Sequence, residues 1–348
     1  MPPDSAIDAV ADRPWPSALS LKGVPKAWQR PLILLSFAVL ALALVTLREW
    51  GEMVHQWWNI DTYNHILLVP LVGLWLVWMK AEELAKIAPR SWYPGLILVV
   101  AGLALWLVGR WTGLNLIAHL GAVGAIQGAI VTILGVRVGL VLALPIAYLA
   151  FLVPFGDEII PFLQSITAEM AIALTRLSGV PAVIDGIYID TPVGLFIVAE
   201  ECSGVKFLIA MVTLAALVGF TRFVSWRRRA ALFAAAIFVP VLANGVRAWG
   251  TIYIAQSAGV EFAAGFDHVF YGWIFFALVV ALILAGAWPF FEREPEDYGF
   301  KAHHLTKQPW AERLEGHDAS ASAMVGAVAA LSLCAAMSAI LLRPFGLA

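Results

Sequence analysis

An all-α polytopic membrane protein of about eight or nine transmembrane helices is the architecture this sequence dictates. Of its 348 residues, 61% are hydrophobic and 13% charged, where soluble domains carry roughly 25% charged residues. The mean hydropathy is +0.84. Apolar runs recur along the whole chain, at 31–47, 66–79, 95–109, 114–134, 138–155, 204–221, 230–246, 269–291 and 322–342. A span needs about 20 such residues to cross ~30 Å of hydrocarbon, so the second and third runs extend at their ends. The third observation is the placement of the Lys and Arg residues, which collect on alternate loops.

Taken in order, residues 1–30 form a Pro-rich N-terminal tail of mixed charge. It has a weak basic region, and no small-residue cleavage site follows the first apolar run, so that run reads as a retained anchor. With the N-terminus in the cytoplasm, the inner side holds Arg13, Lys22, Lys26, Arg30, Lys80, Lys86, Arg90, Arg137, Arg222, Arg227, Arg228, Arg229, Arg293, Lys301, Lys307 and Arg313. These are 16 of the 22 basic residues, which is the charge bias expected of cytoplasmic loops. The membrane unit then covers 31–291, a cytoplasmic linker 292–321, and one further C-terminal helix 322–348. The linker holds His303, His304 and His317 without metal-ligand spacing and reads as solvated.

One long segment, 156–202, lies on the opposite side. Its first part, 160–177, mixes apolar residues with Gln164, Ser165, Thr167, Glu169 and Arg176, as an amphipathic helix on or in the membrane surface does. Ser178-Gly179-Val180-Pro181 ends it. Residues 182–199 are rich in β-branched side chains and broken at Asp185-Gly186 and Pro192-Val193-Gly194, the pattern of a short β-hairpin. The hairpin delivers the chain to Glu200, Glu201 and Cys202.

The topology puts Cys202, Arg247 and His268 at one membrane boundary, at the ends of three consecutive spans. A thiolate is a nucleophile favoured by a helix N-terminus or by nearby cations. Lys206 lies one turn beyond Cys202, while Glu200 and Glu201 act against thiolate formation. An imidazole takes and returns a proton near neutral pH. A guanidinium in a low-dielectric site stabilises an oxyanion or orients a substrate. Together they suit acyl transfer through a thioester. Asn244, Asp267 and Tyr271 are second-rank candidates, as are Glu200 and Glu201. The rivals are a polytopic exporter or assembly factor for exopolysaccharide secretion and a lipid-linked sugar enzyme. The chain has no His-Glu-x-x-His and no Gly-x-Ser-x-Gly, which argues against a zinc membrane protease and a hydrolase nucleophile elbow. Two cysteines make no disulfide framework, and Cys334 packs inside the last span. A net charge of −2 offers no basic surface for nucleic acid. No cofactor or metal is required.

Glu201-Cys202-Ser203-Gly204, Asn244-Gly245-Val246-Arg247 and Asp267-His268-Val269-Phe270-Tyr271-Gly272-Trp273 resemble the Cys, Arg and His motifs of the exosortase/archaeosortase family, in order and spacing. Asp61-Thr62-Tyr63-Asn64-His65 resembles that family's early Tyr-Ser-His segment, which makes His65 a further candidate. Asn64 stands where a small residue is usual. The likeness runs over roughly 30–291. It implies a multi-pass cysteine transpeptidase of the bacterial inner membrane, with Cys202 as nucleophile and Arg247 and His268 as its partners. The implied substrates are exported proteins with a C-terminal sorting signal: a short motif such as Pro-Glu-Pro, a membrane helix and a basic cluster. The implied site of cleavage is the outer face of the membrane. Membrane lipids and an exopolysaccharide or lipid-linked acceptor are the implied further partners.

Overall fold

The computed structural model describes residues 25–266, 274–306 and 308–341. Among these, seven helices are long and apolar enough to cross a membrane, and up to nine spans result if each of two bent helix pairs is one. Among the described residues the strands form one small three-stranded antiparallel sheet. The chain is therefore a multi-pass membrane protein, as its composition requires.

Helix α1 (Lys26–Val45) is the first span. At its end Thr46 Oγ1 donates to the Leu42 carbonyl (2.8 Å) and accepts from Trp50 Nε1 (3.1 Å). The chain then continues into α2 (Leu47–Asn59), where the sequence reading assigns no element. Its hydrophobic periodicity is interrupted by charge, yet Glu49, Met53 and Trp57 form a buried stripe at helical spacing. A 3₁₀ turn, Asp61–Leu68, runs into α3 (Val69–Met79) and completes the second span, which was too short when read from its apolar residues alone.

Helices α4 (Leu96–Thr112) and α5 (Asn115–Leu134) form a hairpin in close backbone contact. A Cβ added at Gly102 would stand 2.3 Å from the Ala125 nitrogen, and one at Gly109 2.2 Å from that of Ala118. One at Gly121 would stand 2.2 Å from the Trp106 nitrogen. In lipid no hydrophobic force holds helices together, so such close approach of small residues supplies the packing energy. The fifth expected span is broken into α6 (Val136–Val141) and α7 (Ala143–Tyr148) with a 3₁₀ turn, Leu149–Leu152. Pro145 is the cause: it has no N–H to give the Val141 carbonyl and its ring crowds that turn.

Helix α8 (Ile160–Leu177) has the bounds expected of the amphipathic segment. Its buried stripe includes Leu163, Gln164, Thr167, Ala168, Ala171, Ile172 and Thr175, and it faces protein, not lipid. Strands β1 (Val183–Asp185), β2 (Tyr188–Thr191) and β3 (Gly194–Ile197) follow. The expected single hairpin is thus two, with the turns at the two predicted breaks. Ile184, Ile189 and Phe196 stand in one cross-strand row, and this inner face packs on Ala168, Ala171 and Ile252.

Helix α9 (Val205–Arg222) is followed by α10 (Trp226–Ala258), whose 33 residues rise about 50 Å. That exceeds the hydrocarbon core by about 20 Å. The half of α10 beyond Asn244 carries α8 and the sheet as a cap. A short helix α11 (Val260–Phe266) leads toward residues 267–273, and α12 (Phe276–Ala287) is the described part of the eighth span.

The segment expected to be a solvated linker is folded onto the bundle. Tyr298, Leu305 and Ala311 are fully buried. Glu292 accepts from the backbone N–H groups of Val224 (2.6 Å) and Ser225 (2.7 Å) at the start of α10 and pairs with Arg228 (3.1 Å). The Ser225 and Val224 donors, with Arg228 and Arg229 nearby, hold its carboxyl below the usual range. Arg222 pairs with Glu294 (3.0 Å). Lys80, 1% exposed, donates to the Tyr298 carbonyl and lies 4.2 Å from the Tyr298 ring centroid. Burial pushes its ammonium below the ordinary lysine range. Two short helices, α13 (Ala302–Thr306) and α14 (Pro309–Glu315), continue this strap to α15 (Ala321–Leu341). The last helix joins the core of α1, α4 and α5 through Met324, Val328 and Ala335.

The α4–α5 seam yields a direct expectation. Gly121→Val should destabilise the protein by at least about 2 kcal/mol, because the added carbons meet backbone that has no room to move. Gly250→Val, where nothing lies within 4 Å of the added Cβ, should leave thermal stability in detergent nearly unchanged.

Candidate active site

Cys202 ends a 3₁₀ turn, Glu200–Cys202, that follows directly on the sheet. Two hydrogen bonds fix its approach. Gln164 Nε2 donates to the Val198 carbonyl (2.8 Å), and the Cys202 N–H donates to Ala199 (2.9 Å). Gly204 then turns the chain into α9 with φ of +82°, a conformation that favours glycine. A Cβ here would also stand 2.8 Å from Asn244 Cγ. The Ser203 hydroxyl, buried beside it, accepts from the Val205 N–H (3.3 Å).

Asn244 reaches this turn from α10. Its Nδ2 donates to the Cys202 carbonyl (2.7 Å) and to Thr167 Oγ1 on α8 (3.0 Å). One amide thus joins the cysteine backbone, the capping helix and the long span. One turn farther on, Arg247 is 9% exposed, and its guanidinium lies 5.9 Å from the Phe207 ring centroid. Phe207 in turn stacks on Phe276 of α12, with centroids 4.7 Å apart and planes at 18°.

Cys202 and Arg247 line the same open cleft, of about 450 Å³, between the inner face of the sheet and α10. Ile189, Phe196, Val198, Ala248 and Ile252 make its walls apolar. A second, narrow cavity, lined by Phe207, Pro240, Phe275, Phe276 and Val279, lies between α9, α10 and α12. Asn244 and Arg247 line both, so they form the partition between a cap-side space and a space among the spans.

The other sequence candidates divide. Glu200 and Glu201 are exposed and do not line the cleft. Lys206 places its ammonium 5.3 Å from the Phe207 ring centroid. His65 hydrogen-bonds through Nδ1 with the Thr62 carbonyl (3.0 Å), while its buried Nε2 has no partner among the described residues. It is not part of the cleft. Asp267, His268 and Tyr271 lie outside the described residues. No cluster of three metal-ligating side chains occurs among the described residues. Sequence reasoning missed Gln164, Thr167 and Phe207. The first two read as the polar side of an amphipathic helix, although their i, i+3 spacing places them on one stripe with Leu163 and Ala171.

Residues 57–285 match the family model described as Transmembrane exosortase (Exosortase_EpsH). No curated protein and no solved structure matches the chain.

The Asn244 amide should be the weak point of the site. Asn244→Ala removes the side-chain donor to the part-buried Cys202 carbonyl and should cost about 1 kcal/mol. In a Cys334→Ala background, alkylation of Cys202 by a maleimide should change severalfold in rate, and Asn244→Gln should not restore it, since the longer side chain has no space beside Gly204.

Proposed function

Since this chain belongs to the transmembrane exosortase family, a membership that implies sorting of PEP-CTERM proteins by transpeptidation, we propose that Cys202, Arg247 and His268 carry out that reaction. The Cys202 thiolate attacks the scissile carbonyl, and the developing oxyanion or the substrate itself is held by Arg247. His268 takes the thiol proton and returns it to the leaving amine as the C–N bond breaks, leaving a thioester. Water or the amine or hydroxyl of a cell-surface acceptor then attacks the thioester, giving up a proton to the histidine while the thiol reforms. The leaving fragment keeps the membrane helix and basic tail; the acyl fragment is the exported protein.

The observation that carries this reading is that Cys202, in the turn before α9, and Arg247, on α10, line one largely apolar cleft. It lies where the extended chain before Cys202 passes into a membrane helix, the depth at which a sorting signal changes from soluble peptide to span. Low dielectric there strengthens a guanidinium–oxyanion contact. The placement of 16 of 22 basic residues on alternate loops supports an N-terminus in the cytoplasm and a cleft at the extracytoplasmic face. The cap of α8 and the sheet roofs the site.

The test is a reporter with a Pro-Glu-Pro tripartite tail, co-expressed with the enzyme and followed by gel shift. Cys202→Ala should abolish processing at normal membrane levels. Arg247→Ala and His268→Ala should each lower it by roughly 10²-fold or more. Processing that survives in Cys202→Ala would remove the nucleophile and favour an exporter or assembly role.

A further inference from the structure

The cleft beside Cys202 is lined in part by Phe196, Ile197 and Val198, and among the described residues no strand pairs with the outer edge of β3. The Val198 N–H bonds to the Ile187 carbonyl (2.9 Å), and Phe196 stands opposite Ile189 in the same register. Alternation in an antiparallel ladder then turns the N–H and C=O groups of Leu195 and Ile197 away from β2. The Ile197 carbonyl is taken by the Ala199 N–H (3.0 Å). The Leu195 carbonyl and the Ile197 N–H have no hydrogen bond among the described residues. Both side chains are more than half exposed, on the face away from α10. Open edges of this kind are normally blunted by charge, proline or a covering element; β3, Gly-Leu-Phe-Ile, carries neither charge nor proline.

We propose that the substrate's sorting segment binds as a fourth strand, parallel to β3, with one residue opposite Phe196 held by the Leu195 carbonyl and the Ile197 N–H and its side chain directed at Arg247. This rests on the transpeptidase reading above. The direction follows from order along the chain: β3 leads through Cys202 into a membrane helix, and the substrate too is an extended motif followed by a membrane helix. In a parallel pair, one residue gives its N–H to one neighbour of its opposite number and accepts from the other. Those two groups are the ones that β3 leaves open. The side chain of that residue falls on the Phe196 face, into the cleft that Arg247 lines.

The residues before and after it turn their N–H groups outward, where proline is tolerated, while proline at the central position would delete the bond. A Pro-Glu-Pro motif meets both conditions. Its single N–H is at the centre, and its carboxylate would meet Arg247 in apolar surroundings, where a charge-assisted pair is strong. Main-chain pairing supplies affinity and the cleft supplies specificity, as in other strand-addition complexes. Of the two roles open to Arg247, this assigns it substrate orientation.

The experiment uses the full chain in detergent and a synthetic peptide of the Pro-Glu-Pro motif with its membrane helix and basic tail. N-methylation of the central Glu should lower kcat/KM about tenfold, mainly through KM, the loss expected for a buried hydrogen bond. Ile197→Pro should do the same to the unmodified peptide, because it deletes an outward N–H and leaves the β2–β3 ladder intact. Maleimide labelling of Cys202 should be unchanged in Ile197→Pro, which shows that the fold around the cysteine is kept. An N-methylated peptide processed at the parent rate by the wild type would overturn the added strand, whatever the stability of the proline variant. Processing of the parent peptide by Cys202→Ala would instead overturn the reading beneath it.

Discussion

The amide of Asn244 is the interaction on which the site depends. It donates to Cys202 and to Thr167 at once, so the turn bearing the cysteine, the capping helix and the long α10 share one polar contact in an otherwise apolar packing. Losing the donor to the part-buried Cys202 carbonyl would cost about 1 kcal/mol. Gly204 is the complementary requirement. Its positive φ turns the chain from the sheet into α9, and its bare Cα admits the Asn244 side chain. Arg247 rides on the same helix one turn away, so whatever fixes Asn244 also fixes the guanidinium.

A second constraint works from the far end. The spans of a membrane protein gain little from hydrophobic burial against one another, and packing and hydrogen bonds must hold their relative positions. Here the glycine seam of α4 and α5 locks one half, and the strap after α12 locks the other by capping α10 with Glu292 and covering Lys80 with Tyr298. The strap ties the beginning of α10 to the ends of α9 and α12. Toward the other side, α9 begins just after Cys202, α10 carries Arg247, and α9, α10 and α12 wall the second cavity. The partition between the two cavities therefore stands on a frame secured some 30 Å away, the thickness of the hydrocarbon core.

The arrangement gives the proposed chemistry a graded environment. The extended chain and the sheet supply polar backbone on one side, apolar side chains supply low dielectric at the cysteine, and the space between α9, α10 and α12 is bounded by aromatic rings. A substrate that is peptide above and helix below would meet matching surfaces in that order. The partition residues, Asn244 and Arg247, are the polar groups where the two meet.

Much of this was legible along the chain. Apolar runs located the spans because membrane thickness imposes their length, and the stripe of α8 and the two turns of the sheet are local patterns of side chain and glycine. The motifs around Cys202 and Arg247 named the residues that the cleft brings together. What the chain did not disclose is non-local. Helix α2 hides its buried face behind charged residues whose partners, Arg110 and His119, lie on α4 and α5. The strap looked solvated because Tyr298, Leu305 and Ala311 are scattered among polar residues, and only the bundle end they cover makes them core. Gln164 and Thr167 read as polar surface until α10 and the sheet closed over them. Hydrophobic period and span length depend on each residue's near neighbours, so the sequence alone located most of the spans, the amphipathic helix and the turns of the sheet. The Asn244 bonds join residues 42 and 77 positions apart. Which helices meet at which turn is decided only when small residues let backbones approach, and that fit exists nowhere but in the tertiary structure.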